Sequence, residues 1–108
     1  MSNRLWAAAA AAAASLIFVP AAEAAEPRVH TIVMTQMRFG TIPAGIRTGD
    51  VIVWVNRDMV PHTATTTGVF DVDVPARQSR RMRVTRAGRF VFFCRYHPTM
   101  RSSFSAAR

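Results

Sequence analysis

Apolar and polar residues alternate along short stretches of the chain after residue 25, and no stretch there has the 3.6-residue period of an amphipathic helix. The strongest stretches are 51–56 (VIVWVN) and 89–94 (RFVFFC), both rich in β-branched and aromatic residues. Turn residues such as those at 48–50 (TGD) and 86–88 (RAG) separate them from weaker stretches at 29–34, 62–67, 69–74, 78–84 and 101–107, and around MRF and TIPAGI. Seven or eight short strands at regular spacing predict an all-β sandwich or barrel.

The first 24 residues follow a different pattern. A basic start at Arg4 precedes an uncharged apolar run, LWAAAAAAAASLIFV, and small residues at Ala22 and Ala24 complete a cleavage site of the A-x-A kind. The apolar run is shorter than the ~20 residues that a membrane-spanning helix needs. Residues 1–24 therefore predict a secretory signal peptide, cleaved after Ala24 or Ala25, and residues 25–108 form one domain; a retained membrane anchor is the alternative.

The charge of the chain is strongly positive. It carries 14 basic residues, all arginine, against six acidic ones, and removal of residues 1–24 leaves the net charge near +8. Such a charge favours acidic partner proteins or anionic surfaces. Nucleic acid is an unsuitable partner, because export separates the protein from nucleic acid and no recognition helix is predicted.

Cys94 is the only cysteine of the chain, so a disulfide within the domain is excluded. A free thiol in an oxidising compartment suggests that another group is bound to the sulfur, and a bound metal ion would also stabilise a small domain. His97 and Met100 follow Cys94 at intervals of three, and His62 lies in a loop after the strong 51–56 strand. Thiolate and thioether are soft ligands that suit Cu(I), whereas imidazole also binds Cu(II).

Three different functions for the same residues fit less well. A structural zinc site normally has further cysteine or histidine ligands and no methionine. A thiol enzyme using Cys94 and His97 lacks a clear third group to orient the base, so we do not expect an enzyme. A basic interaction domain without metal leaves the four residue types unexplained. The remaining histidine, His30, is expected to be a surface residue.

The segments 54–63 (WVNRDMVPHT), 87–100 (AGRFVFFCRYHPTM) and 36–50 (QMRFGTIPAGIRTGD) resemble the cupredoxins, or type 1 blue-copper proteins. The short C-x₂-H-x₂-M spacing is most similar to the amicyanin type, since plastocyanins and azurins have longer ligand loops. The resemblance implies a Greek-key sandwich of about eight strands, one copper ion that alternates between Cu(I) and Cu(II), and the transfer of one electron between redox proteins in the periplasm.

The resemblance also implies residue roles. His62, Cys94 and His97 would be equatorial ligands and Met100 the axial ligand, with the edge of His97 reaching the surface. Pro61, Pro98 and Met59 would form an apolar patch for docking, the alternative being that they only make the loops rigid. The expected partners are acidic redox proteins of the dehydrogenase or cytochrome c type, and the protein would be a monomer that does not contact the membrane once the signal is removed. Copper storage or delivery through the same ligands is the alternative function.

Two positions depart from the cupredoxin pattern. Thr63 occupies the position after the first histidine, where the family usually has an asparagine that ties the two ligand loops together. Its backbone N–H can still donate to the Cys94 sulfur, but the side-chain tie is changed. The tail RSSFSAAR (101–108) lacks the valine-rich final strand of the family, so we expect this edge of the sandwich to be loosely paired.

Overall fold

The computed structural model describes residues 11–17 and 26–108. Residues 11–17 are exposed and have no regular secondary structure. The rest of the predicted signal peptide, including the cleavage site at Ala24 or Ala25, lies outside the described residues. Within the described ranges, no helix has the length and apolar character needed to cross a membrane.

The described part of the chain is all-β, with two four-stranded sheets packed face to face. One sheet has the order β2-β1-β3-β6 and the other the order β5-β4-β7-β8. Neighbouring strands are antiparallel except β1 and β3, which run parallel over six residue pairs. The strands are β1 (Val29–Thr35), β2 (Arg38–Phe39), β3 (Val51–Asn56), β4 (His62–Thr66), β5 (Phe70–Val74), β6 (Ser79–Arg83), β7 (Gly88–Phe93) and β8 (Arg101–Ala106). The predicted eight-stranded β-sandwich is confirmed, although TIPAGI forms no strand.

A contact between two aromatic rings joins the sheets. Trp54 of β3 and Phe92 of β7 are completely buried, and their ring centroids lie 5.0 Å apart in an edge-to-face arrangement. Phe39 packs against Phe92 at 4.7 Å and closes the same cluster at the edge. Truncating a buried ring of this size costs about 3–5 kcal/mol, because it removes apolar burial and leaves a cavity. The cluster therefore fixes β7, which leads directly into Cys94.

The final strand is well paired, so the expectation of a loose edge is wrong. β8 pairs with β7 over six residue pairs, from Gly88 with Ala106 to Phe93 with Arg101. Phe104 is only 3% exposed and stacks on Phe70 at 6.1 Å. The backbone N–H and C=O groups of β8 can pair with β7 although most of its side chains are polar, and Phe104 and Ala106 at inward positions join the buried core.

His30 is buried, which corrects the expectation of a surface residue. It lies on the same face of β1 as the core residues Ile32 and Met34, and its Nε2 is 2.8 Å from Asp50 Oδ2. The hydrogen bond to His30 and those from the backbone N–H groups of Arg28 and Arg47 lower the pKa of Asp50 to about 2, against a smaller opposing effect of burial. Asp50 precedes β3, whereas the connection that leads to His62 follows the other end of that strand.

Candidate metal centre

The loop between β3 and β4 is fixed by a buried amide. Asn56 is 1% exposed, and its Nδ2 donates to the backbone carbonyls of Val60 at 2.8 Å and Val74 at 3.1 Å. Its Oδ1 accepts the backbone N–H of Asp58 at 2.9 Å. These bonds satisfy the buried amide and shape residues 57–61 into a tight connection. The connection delivers His62, the first residue of β4, into the interior with no exposed surface.

The His62 ring is oriented by a carboxylate that no pattern in the sequence indicated. Asp58 Oδ2 lies 2.7 Å from His62 Nε2. Burial alone raises the pKa of Asp58, but the hydrogen bonds from His62 and from the backbone N–H groups of Met37 and Gln36 outweigh it and lower the pKa. An ionised carboxylate on one ring nitrogen fixes the ring orientation and makes the other nitrogen a better metal ligand. That other nitrogen, Nδ1, faces Cys94 Sγ at 3.7 Å.

The spacing of three between Cys94, His97 and Met100 corresponds to two successive turns. The N–H of His97 donates to the carbonyl of Cys94 at 3.3 Å, and the N–H of Met100 donates to the carbonyl of His97 at 2.8 Å. The N–H of Cys94 donates in turn to the carbonyl of Met100 at 3.0 Å, which closes the loop on itself. Cys94 and Met100 thus begin and end one compact loop, and both belong to the buried core cluster.

The four residues predicted as ligands lie at the same end of the sandwich. His62 and Cys94 are completely buried, Met100 is 3% exposed, and His97 is half-buried. The rings of His62 and His97 have centroids 5.5 Å apart and are steeply inclined. Residues 11–17 and 26–108 contain no preformed group of three or more histidine, cysteine, aspartate or glutamate side chains that could hold a metal ion. Among the four residues, His62 and Cys94 are in side-chain contact, and the ring of His97 lies beside the ring of His62.

The separation of this pair suits a shared metal ion. Bonds of about 2.0–2.1 Å to nitrogen and about 2.3 Å to sulfur, at an angle between tetrahedral and trigonal, place two ligand atoms about 3.6–3.8 Å apart. The observed distance from His62 Nδ1 to Cys94 Sγ is 3.7 Å. The combination of imidazole, thiol and a neighbouring thioether suits copper better than zinc or magnesium. The donor chemistry and the pair distance thus fit a copper ion.

Thr63 connects β4 to the segment that begins at Cys94. Its backbone N–H points at Cys94 Sγ at 3.4 Å, and its Oγ1 accepts the backbone N–H of Arg95 at 2.9 Å. The first contact is the one expected from the sequence. The second is a side-chain link from β4 to the residue after Cys94, and Thr63 is completely buried.

Apolar side chains are exposed around the loops that carry His62 and His97. Met59 is 80% exposed, and Pro61 and Pro98 are exposed as well. Val60 and Tyr96, at 40% and 50% exposure, extend this surface beyond the three residues predicted from the sequence. Pro61 and Tyr96 also line one shallow depression together with His62. We call Met59, Val60, Pro61, Tyr96 and Pro98 the apolar rim.

Positive charge is distributed over the whole surface. Every arginine from Arg28 to Arg108 is exposed. The carboxylates are largely occupied, since Asp50 and Asp58 contact histidines, whereas Asp71 and Asp73 both contact Arg95. Among the residues that the structure describes, Arg95 is the sole arginine in an ion pair. The remaining arginines therefore create a largely uncompensated positive field.

Comparison with known proteins identifies the fold of the chain but no family by sequence. No family model matches the chain, and no curated protein matches it by sequence. Solved structures do match: the Cu(I) form of a methionine-to-glutamine variant of amicyanin has a TM-score of 0.65 and 22% identity. The Cu(I) form of a methionine-to-alanine variant and the oxidised form of a proline-to-alanine variant of amicyanin each have a TM-score of 0.65 and 24% identity. Each match covers 72% of this chain and 81% of the other. The chain thus has a cupredoxin fold close to that of amicyanin.

Proposed function

We propose that the protein is an exported type 1 copper protein that carries one electron at a time between redox proteins, and that it is not an enzyme. His62, Cys94 and His97 would hold the copper ion equatorially and Met100 would hold it axially. The observation that carries the proposal is the distance of 3.7 Å between His62 Nδ1 and Cys94 Sγ on a cupredoxin fold. When bound, copper would supply a centre that alternates between Cu(I) and Cu(II).

The residues around the pair have separable roles. Asp58 orients His62 from the side opposite the sulfur. The N–H of Thr63 donates toward the Cys94 sulfur, and a hydrogen bond to a thiolate withdraws electron density and tunes the potential of the site. The buried surroundings of Cys94 and Met100 exclude water from these two sulfur atoms. Together these contacts hold the ligands in one arrangement, which suits rapid gain and loss of an electron.

The surface near His97 suits brief contact with another protein. His97 is half-buried, whereas His62 has no exposed surface, so His97 offers the shorter route from the site to a partner. The apolar rim can exclude water from a small contact area, and the arginines can attract an acidic partner from a distance. The partner would be a dehydrogenase or c-type cytochrome in the periplasm, met by a monomeric carrier after removal of residues 1–24.

Copper storage or delivery is the second candidate function. The partly exposed His97 and the lack of a preformed three-residue group within the described ranges would also suit a metal ion that exchanges readily. The two functions differ in which process is fast. A carrier must retain its metal and exchange electrons, whereas a delivery protein must release its metal.

The experiment loads the mature protein with copper and measures both rates on the same sample. Line broadening in NMR spectra of mixed Cu(I) and Cu(II) protein gives the electron self-exchange rate, and transfer to a chromogenic chelator gives the rate of copper loss. We expect fast self-exchange and slow copper loss. Rapid transfer of copper to the chelator with slow self-exchange would support storage or delivery and contradict the carrier function.

A further inference from the structure

A closed ring of hydrogen bonds surrounds the Thr63 side of the candidate site. The backbone N–H of Arg95 donates to Thr63 Oγ1 at 2.9 Å, and Thr63 Oγ1 lies 2.9 Å from Thr65 Oγ1. Thr65 Oγ1 donates to Asp71 Oδ1 at 2.7 Å. The same carboxylate oxygen accepts from Arg95 Nε at 3.0 Å. The ring thus begins at the backbone N–H of Arg95 and ends at the side chain of the same residue.

The direction of every bond in the ring is determined by its end points. An ionised carboxylate only accepts, so the hydroxyl of Thr65 must donate to Asp71. The N–H of Arg95 only donates, so Thr63 Oγ1 accepts from it. Because the single hydroxyl proton of Thr65 is directed to Asp71, the Thr63 hydroxyl must be the donor in its bond with Thr65 Oγ1. The hydrogen bonds from Thr65 and then Arg95 lower the pKa of Asp71, which keeps the carboxylate ionised. A chain of aligned donors ending on an anion polarises each member, including the Arg95 amide.

The ring crosses the part of the sheet where backbone pairing is sparse. β4 and β5 pair along five residues, with Thr65 directly opposite Asp71. β4 and β7, by contrast, share one registered pair, Thr65 with Phe93. Cys94 follows immediately after this sparse pairing. The side chains of the ring therefore add to the sparse backbone pairing between the strand that carries His62 and the end of the strand that carries Cys94.

We propose that Asp71, Thr65 and the Arg95 side chain are positioning residues that act through Thr63 on the Cys94 sulfur. Thr63 holds Cys94 Sγ with its N–H and the Arg95 amide with its Oγ1, so an oriented Thr63 fixes the sulfur and the start of the ligand loop together. Asp71 thus has a different role from its neighbour Asp73, which contacts Arg95 Nη2 at 2.8 Å and has no bond to Thr65. The inference about the potential of the site rests on the proposed copper function, whereas the ring itself does not.

The test uses matched pairs of variants. Thr65→Val removes one hydroxyl from the ring, and Asp71→Asn replaces the anion on which the ring ends by a neutral amide, a weaker acceptor; both new side chains are close in size to the originals. Asp73→Asn removes a charge from the same arginine, and Thr66→Val removes a neighbouring hydroxyl that donates to the Val91 carbonyl; neither interrupts the ring. Thr65→Ser keeps the hydroxyl and serves as the rescue variant.

The first measurement is amide hydrogen exchange of Arg95 in the metal-free protein, relative to amides in β1 and β3. We expect exchange to quicken roughly two- to tenfold in Asp71→Asn and Thr65→Val, as loss of one hydrogen bond implies. Asp73→Asn, Thr66→Val and Thr65→Ser should resemble wild type. Equal effects of Asp71→Asn and Asp73→Asn, or no effect of Thr65→Val, would overturn the ring.

The second measurement is the reduction potential of the copper-loaded variants. A loosened Thr63 donates less to the thiolate, so we expect a lower potential in Asp71→Asn and Thr65→Val and an unchanged one in the three controls. An unchanged potential in both ring variants would overturn the action on Cys94. A wild-type protein that binds no copper would instead contradict the proposed function, and the amide exchange would still decide whether the ring exists.

Discussion

Asp58 and Cys94 contact opposite nitrogens of one imidazole, because His62 Nε2 lies 2.7 Å from Asp58 Oδ2 and His62 Nδ1 lies 3.7 Å from Cys94 Sγ. A carboxylate behind a ligating histidine fixes its ring and increases its basicity. We therefore predict that Asp58→Asn lowers copper affinity about 10–100-fold. Competition with a chelator of known affinity measures the effect, and Asp73→Asn is the control, because Asp73 bonds to Arg95 and has no hydrogen bond to His62. Wild-type affinity in Asp58→Asn would show that the contact does not support the ligand.

The buried pair of His30 and Asp50 predicts a loss of stability in acid. A carboxyl whose pKa is lowered by folding stabilises the folded state above its unfolded pKa, and this contribution disappears as the pH falls toward its folded pKa. For Asp50 the interval runs from 3.8 down to about 2. The contribution at neutral pH is on the order of 2 kcal/mol.

The measurement is urea unfolding of metal-free wild type and Asp50→Asn between pH 2 and 7. We expect the difference in unfolding free energy between them to be constant above about pH 5 and to shrink steadily below it, since a protonated carboxyl resembles the amide. A difference that stays constant down to pH 2 would contradict the assignment of a lowered pKa to Asp50.

The sequence predicted the fold well because strand signals are local. VIVWVN and RFVFFC carry their β-branched and aromatic residues within six positions, and the structure places β3 and β7 there. The burial of His30 was missed although it shares the inward face with Ile32 and Met34, because its partner Asp50 is 20 residues away. The burial of Phe104 was likewise missed, because the residues around it in the tail are polar.

The candidate site was predictable only in its residue types. The motif around Cys94 indicates ligands, but the contacts that orient them come from tertiary structure. Asp58 is four residues before His62 in a loop, where that spacing carries no signal of contact. Asp71 meets Thr65 because β4 and β5 form a hairpin, and a contact between a hydroxyl and a carboxylate on neighbouring strands has no recognisable pattern in the sequence.

Met100 is predicted to set the reduction potential without being required for copper binding. It is 3% exposed at the end of the loop that begins at Cys94, and in the proposed site its thioether would be a weak axial ligand that favours Cu(I). Met100→Gln replaces sulfur by a harder oxygen donor, so we expect copper to remain bound and the potential to fall. Cyclic voltammetry measures this, with the 80% exposed Met59 replaced by glutamine as the control. An unchanged potential in Met100→Gln would show that this residue is not axial.

The uncompensated arginines predict association that depends on salt. Stopped-flow electron transfer with the natural redox partner should slow as ionic strength rises, because salt screens the attraction between opposite charges. Arg81 and Arg83 are exposed on β6, and replacing both by glutamine should slow the reaction at low salt and make no difference at high salt. A rate that is flat or rises with salt would show that the arginines serve solubility and do not steer the partner.

The visible spectrum of the Cu(II)-loaded protein shows whether the Cys94 thiolate binds copper. Charge transfer from a Cys94 thiolate to copper should give an intense blue band in the wild type, and Cys94→Ser should lose it because a hydroxyl provides no such transition. Cys94 is the only cysteine in the chain, so no other thiolate can replace it. We expect one copper per chain, with the band present in wild type and absent in Cys94→Ser. A wild-type protein without the band, or a band that persists in Cys94→Ser, would contradict a type 1 copper site at Cys94.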